Sequence, residues 1–210
     1  MLSKQSFNQK KYPNIDKAVA FRINFHQFVF TYDDIGWYDY NEELCSRCGF
    51  SVQTGDFLAP KSNCAKKDYA ILDTYHFGVS IEVKELLIDN FDISEEDFRP
   101  IRNKVGEIVF YQITPQHIML PMHETKRYKE LKPCKKCGRT QYRLKQYENR
   151  QGYPYGYITS KALAEMHDIN ETFEKCELYL PEWIVSKRVY EFLTERYPRM
   201  QFVPLFIKDI

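Results

Sequence analysis

Hydrophobic positions alternate near the start of the chain. Phe21, Ile23 and Phe25 share one parity and Phe28 and Phe30 the other, which predicts a strand with a bulge near His26–Gln27. Tyr69–Phe77 is expected to be another strand, and Gly106–Ile113 a further one stopped by Pro115. Short strands are expected at 177–180 and 183–185. The chain closes on a strand at 201–207, where Pro204 points to an edge or a bulge. Helical spacing follows several capping residues. Ser80 precedes Val83, Leu86 and Leu87; Ser94-Glu-Glu-Asp97 matches a capping pattern ahead of Phe98 and Ile101; Ser160 opens a helix expected to run to His167, with Leu163 and Met166 inward. The clearest helix spans about 187–197 after Ser186, carries Val189, Phe192, Leu193 and Tyr197, and ends at Pro198.

Short strands and helices mix without a βαβα rhythm, so the predicted class is α+β. A single domain is expected over 17–210, preceded by a polar, flexible N-terminal arm at 1–16 and ending in a strand–helix–strand unit at about 177–207. No internal repeat stands out beyond a cysteine motif described below.

Composition narrows the class without naming a function. The 210 residues are 43% apolar and 16% aromatic, enough to build a true core. Thirty basic residues face 29 acidic ones, a net charge of +1 that argues against a wholesale polyanion binder and against disorder. No apolar run reaches the ~18 residues that span a bilayer. The first eleven residues have no apolar stretch behind their charges, so a secretory signal is not expected. These features predict a soluble, cytoplasmic protein with no membrane partner.

The six cysteines add the strongest chemical signal. Cys45-Ser-Arg-Cys48-Gly49 and Cys134-Lys-Lys-Cys137-Gly138 are two copies of CxxCG. Two intervening residues let both thiolates reach one ion at about 2.3 Å, and the following Gly favours the turn. Arg47, Lys135 and Lys136 would offset part of the negative charge of a four-thiolate centre. The expectation is one structural Zn2+ held by Cys45, Cys48, Cys134 and Cys137 in a zinc-ribbon-like module formed by about 44–52 and 132–144, with iron as the other metal that thiolates accept. The separation of the pairs far exceeds the usual 15–20 residues, so the ion would clip distant segments together. A redox pair is the alternative, but neither motif opens a helix in a βαβ pattern. Cys64 and Cys176 are expected to be ordinary thiols.

Weaker signals lie elsewhere. From Lys126 to Arg150 the chain carries ten basic residues against Glu130 and Glu148, interleaved with Tyr128, Tyr142 and Tyr147. Such a segment could hold nucleic-acid phosphates and stack bases, or be a solvated face. His26, His76, His117, His123 and His167 fall in no HExxH arrangement and beside no nucleophile motif, so no enzyme activity is expected.

Two CxxCG units enclosing a subdomain, the stretch Glu177-Leu-Tyr-Leu-Pro-Glu-Trp-Ile-Val-Ser186 opening a helix, and the ending Phe202-Val-Pro-Leu-Phe206 resemble the double-CXXCG motif family of bacterial immunity proteins. The resemblance runs from about residue 40 to the end. It implies a protein that binds and neutralises a cognate toxin by occlusion. A surface for that partner is expected in either the acidic, aromatic 32–43 stretch or the basic 126–150 segment, with Tyr32, Trp37, Tyr38 and Tyr40 as the preferred anchors. Against a nuclease toxin, Asp33, Asp34 and Asp39 would mimic phosphates. The other functional class is a zinc-ribbon nucleic-acid-binding protein using 126–150.

Overall fold

The computed structural model describes residues 8, 11–23, 42–47, 51–53, 56–59, 68–72, 76–122, 128–131, 133–136, 141–144, 156–175 and 181–209. In chain order the strands are β1 (Ala20–Ile23), β2 (Glu42–Leu44), β3 (Ser51–Gln53), β4 (Leu58–Ala59), β5 (Tyr69–Ile71), β6 (Phe77–Val79), β7 (Phe98–Asn103) and β8 (Ile108–Ile113). They continue with β9 (Tyr128–Leu131), β10 (Gln141–Leu144), β11 (Tyr157–Ile158), β12 (Ile169–Lys175), β13 (Pro181–Ser186) and β14 (Phe202–Ile207). The helices are α1 (Ile81–Asn90), α2 (Ser160–Ala164) and α3 (Lys187–Arg196). The class is α+β, as expected. None of the described helices is long and apolar enough to cross a membrane.

The chain divides into two compact units, each discontinuous in sequence. The first comprises Met1–Asn24, His117–Glu177 and Pro181–Ile210, the second Phe25–Gln116 and Leu178–Leu180.

The first unit is built on a five-stranded sheet of order β11-β14-β1-β13-β12. β11 runs parallel to β14, and the other neighbours are antiparallel. Both faces of this sheet are covered, which explains the consecutive buried residues Trp183, Ile184 and Val185. On one face Tyr190 of α3 stacks on Phe21 with centroids 3.6 Å apart and meets Phe202 edge-on. On the other, Ala20, Ile184 and Leu205 pack with Met119, Met122 and Ala162. α3 begins at Ser186, whose Oγ accepts from Val189 N, and it stops ahead of Pro198 as expected. The shorter α2 is capped by Thr159 rather than Ser160, and it ends at Ala164 instead of reaching His167. Thr159 supplies the acceptor for Ala162 N, while Ser160 N and Oγ turn to Asp209. Asn8, within the expected flexible arm, is fully buried: its Nδ2 donates to Met200 O at 2.8 Å and its Oδ1 accepts from Phe202 N at 3.0 Å. A 3-10 turn at Ile15–Lys17 buries Ile15.

The second unit has a sheet of order β4-β7-β8-β6-β5, again with its two-residue edge strand, β4, parallel to its neighbour. Phe57, Ala59, Ala70, Leu72, Ile101 and Phe110 form the core on one face. On the other, Lys84 of α1 lies 4.5 Å over the Tyr111 ring, and Phe98 meets that ring edge-on. Lys84 is 7% exposed and pairs with Glu95, so its charge is both shielded and answered. The expected strand over Tyr69–Phe77 is instead a hairpin, with Ile71 opposite Phe77. The expected helix after Ser94 is one 3-10 turn, Glu95–Asp97, leading into β7. Asp97 accepts from Ser94 N and from Gln116 N, so the capping residues close a turn against the end of β8's strand segment rather than start a helix.

Candidate functional site: the two CxxCG hairpins

Each unit carries one two-stranded antiparallel hairpin outside its main sheet, β2–β3 in the second unit and β9–β10 in the first. Each hairpin carries one CxxCG motif in its turn. In β2–β3 the last register pair is Leu44 with Ser51, and Cys45 directly follows β2. In β9–β10 the last pair is Leu131 with Gln141, and Cys134 follows β9 by three residues. Ser46 and Arg47 form the first turn, Lys135 and Lys136 the second, and all four are exposed. The thiols beside them behave differently. Cys134 is 9% exposed and Cys45 is half-buried, whereas the residues that follow each of them are exposed.

A hairpin turn brings both cysteines of a CxxC to one side, and withdrawal from water strengthens thiolate–metal attraction. Arg47 follows Cys45 by two residues, and Lys135 and Lys136 follow Cys134, so each exposed turn carries positive charge close to its cysteine in sequence. Cys48 and Cys137 lie outside the described residues, as do Cys64 and Cys176. Among the described residues, which hold one thiol of each motif, no three His, Cys, Asp or Glu side chains form a metal-holding group.

No family model, curated protein or solved structure matches this chain.

The other candidates from the sequence fare unevenly. Tyr32, Asp33, Asp34, Trp37, Tyr38, Asp39 and Tyr40 all lie outside the described residues. Part of the basic 126–150 segment is described as β9–β10, whose register sets Lys129 opposite Arg143 and Glu130 opposite Tyr142. His76 is buried and packs edge-on against Phe57. His117 and His167 stack with centroids 3.9 Å apart, and His117 Nε2 lies 3.1 Å from Glu165 O.

One polar cluster went unmarked in the sequence. Asp168, 3% exposed, accepts from Ser186 Oγ at 2.5 Å, from Arg188 Nε at 2.7 Å and from Arg188 Nη2. It ties the start of β12 to the first turn of α3. The signal was present as Ser-x-Arg at 186–188, but its acceptor lies 18 residues upstream and nothing local links them.

Proposed function

We propose that this chain is a zinc-stabilised binding protein that neutralises a cognate bacterial toxin by occluding it, with no chemistry of its own. One observation carries the metal half: each CxxCG motif lies between the two strands of an antiparallel hairpin, with Cys134 buried and Cys45 half-buried beside exposed residues. Cys45, Cys48, Cys134 and Cys137 would hold a single Zn2+ in a closed, zinc-ribbon-like centre. Bound there, zinc would contribute structural stabilisation on the order of 10 kcal/mol, the scale found in zinc-finger peptides. The toxin half is supported by the likeness of the cysteine pattern and the Ser-capped helix to the double-CXXCG immunity proteins.

Metal analysis of the purified protein tests the first half. One zinc per chain is expected, lost with thermal stability in each of Cys45→Ser, Cys48→Ser, Cys134→Ser and Cys137→Ser. Metal content untouched by changes in the second pair would remove the shared centre. Co-production with a candidate toxin encoded beside this chain tests the second half. A stable complex and restored growth are expected, and charge reversal at Asp33, Asp34 and Asp39 should weaken the complex if the toxin has a cationic cleft.

A second reading is favoured by the β9–β10 hairpin, where Lys129 opposes Arg143 and the turn exposes Lys135 and Lys136. There the partner is nucleic acid. A salt-sensitive gel shift with generic DNA or RNA is expected on that reading, and no shift at moderate salt would eliminate it.

A further inference from the structure

The two sheets share more than their strand number. Aligned on their short parallel edge strands, the orders β4-β7-β8-β6-β5 and β11-β14-β1-β13-β12 coincide position by position, with the same parallel and antiparallel pairings. In each, a ten-residue Ser-capped helix links the fourth strand to the second: α1 between β6 and β7, α3 between β13 and β14.

The registers coincide as well. In one sheet the central strand sets Tyr111 opposite Val79 and Gln112 opposite Gly78; in the other it sets Phe21 opposite Val185 and Arg22 opposite Ile184. On the far side of that strand, Phe98 faces Ile113 and Pro100 faces Tyr111, while Phe202 faces Ile23 and Pro204 faces Phe21. At the parallel edge, Leu58 pairs with Arg102 and Tyr157 with Phe206. Even the bond behind each cap repeats, from Ser80 N to Asp68 O at 2.8 Å and from Ser186 N to Asp168 O at 3.0 Å.

Sequence identities fall on these matched positions. Val-Ser-x-x-Val-x-Glu-x-Leu occurs at 79–87 and 185–193, and Phe-x-Pro at 98–100 and 202–204. The CxxCG motifs obey the same alignment, with Cys45 following Ile23 by 22 residues and Cys134 following Ile113 by 21. Core volumes compensate between the copies. Phe110 fills the space over Gly78, where a Cβ would lie 2.7 Å from its ring, while the matched positions carry Ala20 and Ile184.

Chain order departs from this symmetry at one place. The middle strand of each sheet comes from the other half of the sequence: β1 completes the sheet of β11–β14, and β8 completes that of β4–β7. We infer that the chain is two copies of one module, about residues 20–103 and 108–207, that have exchanged their first strands, so that each module's binding partner is the other copy. It is a strand-swapped homodimer fused into one polypeptide. The inference stands apart from the metal reading and from the toxin reading, since neither enters the register match.

Cross-linking in the full-length chain tests the exchange. Arg22 lies opposite Val203 in the exchanged arrangement. Without exchange, the register match would place it opposite Arg99. Arg22→Cys/Val203→Cys and Arg22→Cys/Arg99→Cys are each treated with a short bifunctional thiol reagent, and the joined peptides are mapped by mass spectrometry. A 22–203 link without a 22–99 link is expected; a 22–99 link would overturn the exchange. The equivalence of the copies is tested separately in the core. Ala20→Phe and Ile184→Gly should each lower the urea midpoint, and the double variant should recover much of the loss by recreating the Phe110–Gly78 pair. Strictly additive losses would overturn the equivalence.

Discussion

Ser80 and Ser186 cap helices of equal length in matched settings, which makes a controlled experiment. Ser80 Oγ accepts from Val83 N at 3.2 Å and Ser186 Oγ accepts from Val189 N at 3.3 Å. Removing either cap costs about 1 kcal/mol. Ser186 Oγ also donates to Asp168 at 2.5 Å, a carboxylate that is 3% exposed, whereas Asp68 behind Ser80 is exposed. A hydrogen bond to a buried charged group contributes about 1.5–3 kcal/mol. Arg188 remains bonded to Asp168 after the change, so the low end applies, and Ser186→Ala should cost about 2.5 kcal/mol in total. With a urea slope near 2 kcal/mol per molar, the midpoint should fall by about 0.5 M for Ser80→Ala and about 1.2 M for Ser186→Ala. The assay is equilibrium urea unfolding followed by far-ultraviolet circular dichroism, with the slope checked for constancy. Equal shifts, or a larger shift for Ser80→Ala, would refute the assignment of the extra stability to the Asp168 bond.

Other perturbations have worked outcomes. Gly78→Ala places a methyl 2.7 Å from Phe110 Cε1 and 2.9 Å from Leu72 Cδ2; overpacking of about 1–3 kcal/mol outweighs the 0.4–1 kcal/mol gained by stiffening the unfolded chain, so the thermal midpoint should fall. Asn8→Ala strands Met200 O and Phe202 N in the interior, a loss of about 1–3 kcal/mol measurable by urea unfolding. The Ser160 hydroxyl and then its amide hold the Asp209 carboxyl below its usual 3.8. A depressed folded pKa contributes stability that is present above about 3.8 and lost as pH falls through the lowered value. The Ser160 amide resonance should therefore titrate below pH 3.8, and Asp209→Asn should abolish that titration.

Local chemistry made the helices readable. Ser followed by Val, Phe or Leu, and Leu at helical spacing marks both α1 and α3, and Pro198 marks the end of one of them. The β7 segment misled for a physical reason. Phe98 and Ile101 are three apart, which suits one helix face, but here they lie on opposite faces of a sheet buried on both sides. The hairpin at Tyr69–Val79 was hidden because its two three-residue strands are too short to show alternation separately. At the candidate site, spacing alone revealed the cysteines, and the hairpins around them follow from the turn that CxxCG demands. The duplication is faint in the sequence because few residues repeat. The offset between copies also drifts, from 90 residues at Ile23 and Ile113 to 106 at the Ser caps.

The exchanged strands impose an order on biosynthesis. The sheet of β4–β8 has all its strands once the ribosome has passed Ile113. β1 precedes that sheet in the chain, yet its neighbours β13 and β14 both follow it, with β14 ending at Ile207. At roughly 5–20 residues per second, Phe21 and Ile23 wait on the order of ten to forty seconds for their partners. During that interval the nascent chain trails an apolar strand with both edges open, a target for chaperones or for the same strand's neighbours on an adjacent chain. Slow codons, chaperone supply and polysome density should therefore govern the yield of this protein more strongly than its final stability does.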